Sequence, residues 1–165
     1  MTSANQKVAI ITGASQRIGA ALVDAYRGLD YAVVANSRSI GPTDDPGVAT
    51  VAGDIAETAT ADRIVTTAVE RFGRVHALVN TAGVFVSKPF TEYTVADYEL
   101  VTAVNLTGFF HITQRAIARM LTQGEGGHVV NVNHHPGRIC RLENPRRVGR
   151  FDQGRPGGGN QIAGD

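Results

Sequence analysis

Short apolar runs alternate with apolar stripes of helical period along the first 132 residues. Residues 7–12 (KVAIIT) form a β-branched run that ends at a glycine, the pattern of a strand covered on both faces. Ile18, Leu22, Ala25, Tyr26 and Leu29 recur at helical spacing and predict a helix over 18–29. Residues 31–35 are a second apolar strand and Val48–Ala52 a third. The stretch between them, 36–47, is rich in Ser, Pro, Asp and Gly. It reads as loop and is too short for a full crossover helix. Ile64, Val65, Ala68, Val69 and Phe72 mark a second helix, closed by Gly73. Residues 75–79 (VHALV) are a fourth strand, followed by a loop with Pro89. Residues 94–110 and 108–121 predict two helices, or one bent helix, before Gly124; residues 127–132 (GHVVNV) predict a fifth strand. Alternating strands and helices mean βαβ crossovers. The expected fold class is therefore α/β: a doubly wound parallel sheet of about five strands with helices on both faces.

That pattern stops after Val132. Residues 136–165 hold 7 Gly, 6 Arg and 3 Pro, with isolated apolar residues and no period of 2 or 3.6. Such a segment offers too little apolar burial to offset the entropy of ordering it, so a disordered tail is expected. The predicted organisation is a domain over 1–135 and an Arg/Gly/Pro-rich tail over 136–165. Charge follows the same division: the net +1 of the chain is −2 for residues 1–135 and +3 for 136–165.

Composition narrows the class further. Apolar residues make up 42% and charged residues 19%, as in an ordinary soluble domain. Cys140 is the sole cysteine, so an intramolecular disulfide is ruled out and a reducing cytoplasm is the expected location. No apolar run approaches the ~20 residues of a membrane helix, and residues 1–7 lack a signal-peptide apolar region. His134, His135 and Cys140 do not make a matched metal-ligand set, because adjacent histidines on a strand point to opposite sides. Only Phe151 interleaves with the basic tail, so nucleic acid is not an expected partner, and without a long apolar run neither is a membrane.

Three motifs carry the chemistry. The turn from Thr12 to Gly19 (TGASQRIG) joins the first strand to the first helix, where free N–H groups and the positive dipole end suit a phosphate. Gly13 permits the tight turn there, and Gly19 lets the helix pack closely on the strand. Asn80-Thr81-Ala82-Gly83 follows the fourth strand, and Val104-Asn105-Leu106-Thr107-Gly108 lies in the long helical stretch. Together, and at these spacings, the three motifs resemble those of the short-chain dehydrogenase/reductase family over residues 7–132. The resemblance implies a Rossmann-like, dinucleotide-binding domain. It also implies an oxidoreductase that transfers a hydride to or from a small carbonyl, alcohol or related substrate. Arg17 stands where the family's turn usually has its middle glycine; that variant is similar to the pteridine-reductase-like members, where the arginine accompanies NADPH use.

Cofactor choice has a separate physical argument. An NAD-preferring domain of this kind places an acid at the end of the second strand to bond the ribose 2′-hydroxyl. Here Asn36, Ser37 and Arg38 occupy that stretch. Arg38, with Arg17 in reach, suits a 2′-phosphate through charge-assisted hydrogen bonds. NADP is expected rather than NAD. By resemblance, Gly13, Ser15, Ile18 and Gly19 belong to the phosphate turn. Asp54 and Ile55 belong to the adenine wall, and Asn80, Ala82 and Gly83 to the sheet centre and ribose segment. Asn105 matches the family's catalytic asparagine, which bends its helix and holds a water of the proton relay. Asp54 reads equally as a turn or helix-capping residue.

The family's chemistry also needs a serine at the end of the fifth strand and a Tyr-x-x-x-Lys pair after it. Here His134 stands at the serine position, no tyrosine follows Tyr98 and no lysine follows Lys88. Read one base out of frame, residues 151–156 can share their bases with Ser-Thr-Lys-Gly-Gly-Leu, which resembles the family's lysine helix. The catalytic half is expected to be missing or frameshifted, and the chain to be inactive. The alternatives are a non-catalytic nucleotide-binding module and a damaged gene product. The homo-oligomer formed by the family is not expected here.

Overall fold

A computed structural model describes residues 6–132 of the chain. The expectations for the 136–165 tail, for His134 and for Cys140 lie outside the described residues. Five strands form one parallel sheet: β1 (Val8–Thr12), β2 (Ala32–Ser37), β3 (Val48–Ala52), β4 (Ala77–Asn80) and β5 (His128–Asn131), in the order β3-β2-β1-β4-β5. The helices are α1 (Arg17–Gly28), α2 (Thr58–Phe72), α3 (Val95–Thr102) and α4 (Phe109–Gln123). A π-helical segment, Ala103–Gly108, joins α3 to α4. The expected α/β fold, doubly wound about a parallel sheet, is the one found.

The sheet separates two apolar layers. On one side Val8, Ile10, Val34, Leu78 and Val51 meet α2 and α4 through Ile64, Ala68, Ile112 and Ala116. On the other, Ile11, Val33, Ala35, Val48 and Val79 meet Leu22, Val23 and Tyr26 of α1. Covered on both faces, the central strands read as unbroken apolar runs instead of alternating ones. Ile10, Ile11, Ile64, Leu78 and Ile112 are fully buried, each contributing about 1.5–3 kcal/mol of transfer free energy.

Two connections sharpen the reading of the pattern. β2 continues through Asn36 and Ser37, which lie opposite Val51 and Ala52 of β3. The Asn36 amide extends that pairing by donating to the carbonyls of Val51 (2.9 Å) and Gly53 (3.2 Å). The β2–β3 connection is a loop, as its composition predicts. Arg27 of α1 fastens it by forking onto Asp45 at 2.9 and 3.2 Å, and this contact holds the Asp45 carboxyl below its usual pKa. The stretch over 94–121 is one continuous helical run that changes winding at residues 103–108, which answers the choice between two helices and a bent one.

Candidate functional site

The carboxyl ends of the strands meet loops on either side of β1, the point where the connections diverge and where open α/β sheets bind ligands. A cavity of about 180 Å³ lies there. Its floor is the β1–α1 turn. One wall comes from the end of β2 and the β3–α2 loop, the other from the loop after β4, and Val104 of the π segment closes it.

The turn owes its shape to its glycines. Gly13 has φ +66°, and a Cβ there would stand 2.9 Å from the Ala82 backbone. A Cβ on Gly19 would stand 2.1 Å from the Gly13 carbonyl, so helix and turn touch as the motif predicts. Arg17 has φ +50° without being glycine, a conformation costing about 1–2 kcal/mol. Its side chain is exposed. α1 has no side-chain cap and no acid in its first turn, so its free N–H groups and positive dipole end suit an anion. Thr12 fastens this turn to the opposite wall. Its buried Oγ1 accepts from the N–H groups of Thr81 and Ala82, both at 3.1 Å, while the Thr81 hydroxyl donates to the Thr12 carbonyl.

At the end of β2, the Ser37 hydroxyl is buried without a hydrogen-bond partner, and Arg38 beside it is exposed. No acid stands in residues 36–39, and the Asn36 amide is committed to β3. Asp54 makes a turn, its Oδ1 accepting from the Ala56 N–H at 2.9 Å, while buried Ile55 faces both core and cavity. Asp54 is therefore the turn residue that its alternative reading describes, and it lines the cavity as well.

The cavity brings together Gly13, Ser15, Ser37, Arg38, Asp54, Ile55, Ala82 and Gly83. Arg17, Ile18 and Gly19 lie in the adjoining first turn of α1, outside the lining. Asn80 and Asn105 stand behind it. Buried Asn80 donates to Thr113 Oγ1 (3.1 Å) and Asn131 Oδ1 (3.0 Å), tying β4 to α4 and β5. Asn105 clasps the backbone of Val84, accepting its N–H and donating to its carbonyl, each at 2.9 Å. Sequence reasoning passed over Gln16, Ser39, Gly53, Val84 and Val104, which also line the cavity. Gln16 and Val104 had a signal in their places inside the turn and helix motifs; Val84 had none, being an ordinary apolar residue.

Among the described residues no three His, Cys, Asp or Glu side chains are grouped to hold a metal. No helix among them is long and apolar enough to cross a membrane.

Comparison with known proteins agrees with this geometry. A family model described as short chain dehydrogenase matches residues 7–140. Sorbitol dehydrogenase of Cereibacter sphaeroides is 30% identical over 138 residues, covering 80% of this chain and 54% of that protein. An NADP-dependent (R)-specific alcohol dehydrogenase of Lentilactobacillus kefiri is 34% identical, covering 77% of this chain and 54% of its own length. A crystal structure of a short chain dehydrogenase from Leptospira borgpetersenii with bound NAD+ superposes with TM-score 0.69 at 26% identity, covering 76% of this chain and 50% of the other. The chain thus spans about half the length of the curated relatives it matches.

Proposed function

The chain belongs to the short-chain dehydrogenase family, and on that premise we propose that it is the NADP-binding half of an oxidoreductase acting on a small carbonyl or alcohol. The observation that carries the reading is the end of β2. Ser37 offers a buried hydroxyl with no partner, Arg38 is exposed beside it, and no carboxylate stands there to repel a 2′-phosphate. Arg17, exposed in the adjoining first turn of α1, is a second basic side chain on this reading. The cavity lining supports the adenosine and pyrophosphate part of such a cofactor. The Gly13–Ser15 turn and the α1 N-terminus would hold the pyrophosphate, Asp54 and Ile55 the adenine, and Ala82 and Gly83 the adenosine ribose.

When bound, the nicotinamide group supplies or accepts the hydride. The chain's own residues bind and orient. Asn105 gives its side-chain amide to Val84 and so positions that loop. The sequence carries no Tyr-x-x-x-Lys pair, so nothing in it supplies the proton that carbonyl reduction needs. By itself the chain binds nucleotide without turnover. Calorimetric titration with NADPH and NADH tests the cofactor reading. One to two charge-assisted hydrogen bonds are worth about 1.5–3 kcal/mol each, so NADPH should bind at least about tenfold more tightly. Equal affinities, or tighter NADH, would favour NAD, which the Leptospira structure holds. NADPH oxidation with a panel of aldehydes and ketones should stay at background; steady turnover would refute the non-catalytic reading.

A further inference from the structure

The two walls of the cavity are held from behind by one short element. Gly108, at the end of the π segment, is buried against the β3–α2 loop. A Cβ there would stand 2.9 Å from both the Cγ2 and the carbonyl oxygen of Ile55, and 3.0 Å from its carbonyl carbon. Asn105, three residues earlier, holds the Val84 backbone in two hydrogen bonds. Val104, next to Asn105, lines the cavity itself. A π segment adds a residue to a helical turn, and such segments gather at functional sites. Here the extra residue lets one helix face two loops at once.

We propose that the π segment Ala103–Gly108 sets the width of the cavity. Gly108, by lacking a side chain, seats the Ile55 wall, and Asn105, by its amide, seats the Val84 wall. Both are positioning residues for the adenosine half of a nucleotide. The inference rests on the nucleotide-binding reading above. Neither neighbour yields easily. The Ile55 backbone is pinned by the Asp54 turn, in which Ala56 and Glu57 donate to the Asp54 side chain and carbonyl at 2.9 and 3.1 Å. The helix is pinned by Val104 and Ile112 in the core. An added methyl must therefore shift the wall of the cavity. A gap of about 0.5–1 Å between wall and ligand already forfeits about a quarter to a half of each dispersion contact there.

The test compares Gly108→Ala with the wild-type chain, using 2′,5′-ADP, which carries the adenosine half and no nicotinamide. Alanine is the better helix former, so a loss of affinity cannot come from weaker helix propensity. Calorimetry should show binding weakened by about tenfold or more, corresponding to about 1.4 kcal/mol, with far-ultraviolet circular dichroism unchanged. Gly28→Ala, where a Cβ meets nothing within 4 Å, should leave affinity unchanged. Should Gly108→Ala fail to fold, hydrogen exchange on the wild-type chain decides. 2′,5′-ADP should slow exchange at residues 54–57, at Val84 and through 103–108 together; protection confined to 54–57 overturns the proposal. Wild-type binding with Gly108→Ala folded and unaffected overturns it as well, leaving the functional reading in place. If the wild-type chain binds neither 2′,5′-ADP nor NADPH, the functional reading falls and this inference with it.

Discussion

Arg17 occupies a left-handed backbone position that glycine adopts freely. Replacing it separates two effects. Arg17→Gly relieves about 1–2 kcal/mol of strain and gives back about 0.4–1 kcal/mol through a more flexible unfolded chain. Urea unfolding should therefore show a small net gain. NADPH affinity should fall about tenfold with NADH affinity unmoved, and a parallel loss for both cofactors would count against a 2′-phosphate contact. Thr12→Val should cost about 1–3 kcal/mol, since two N–H groups lose their acceptor at a buried position; a midpoint unchanged in urea would show that water replaces the hydroxyl. The sequence makes these two residues unequally visible. Arg17, Gly13 and Gly19 are legible because a tight turn is a local object, and each glycine has a local reason. Thr12, Asn36 and Asn80 bond to groups distant along the chain, so their identities are readable but their partners are not.

β4 is entered through His76, which joins three strands. Its backbone N–H donates to the Val8 carbonyl at 2.8 Å, its Nδ1 accepts from the Val8 N–H at 2.9 Å, and its carbonyl accepts from the His128 N–H at 2.9 Å. Nδ1 must therefore be unprotonated. Burial, the largest cause, holds the imidazole below its usual pKa; Glu125 opposes this and Arg74 and Lys7 reinforce it. A base whose folded pKa is lowered is stabilising in its neutral form. That contribution is complete above the unfolded value of 6.5 and is lost as pH falls below it through the folded value. The urea midpoint should drop on acidification through this window. His76→Gln, whose amide oxygen can still accept, should flatten the response; an undiminished slope would assign the effect elsewhere. At α3, Lys88 and Thr94 hold the Asp97 carboxyl at about 2, so its contribution is complete above the unfolded value of 3.8 and is lost only as pH falls through about 2. Elements of this kind were largely visible in the apolar pattern, including the loop in place of a β2–β3 helix. The π segment was not. Its winding depends on fitting Ile55 and Val84 at once, and the pattern there shows only a bend.

At the scale of the whole molecule, the described residues leave an extensive apolar surface exposed. Leu106, Phe110, Ile117 and Leu121 are exposed along the π segment and α4, and Val130 is exposed on β5. Among the described residues β5 pairs with β4 alone. An unpaired edge beside an apolar stripe favours association. Sedimentation velocity should show species that grow with concentration, and a solvent-sensitive naphthalene dye should brighten on binding. A clean monomer with no dye response would mean these surfaces are covered. The fold was legible at this scale because alternating strands and helices leave few topologies; the exposed stripe was not, since an apolar helix position reads as core until the neighbours are counted. The Thr12 clamp has one more consequence, in time instead of space. It joins residues 69 apart, so the nucleotide cavity closes only after β4 has docked beside β1. A chain folded only as far as β3 has the glycine turn, Ser37 and Arg38 but lacks the Ala82–Gly83 wall, so a nucleotide is held from one side alone. Ligand added during refolding therefore favours chains in which β4 has docked over those in which it has not, because it binds the completed cavity more tightly.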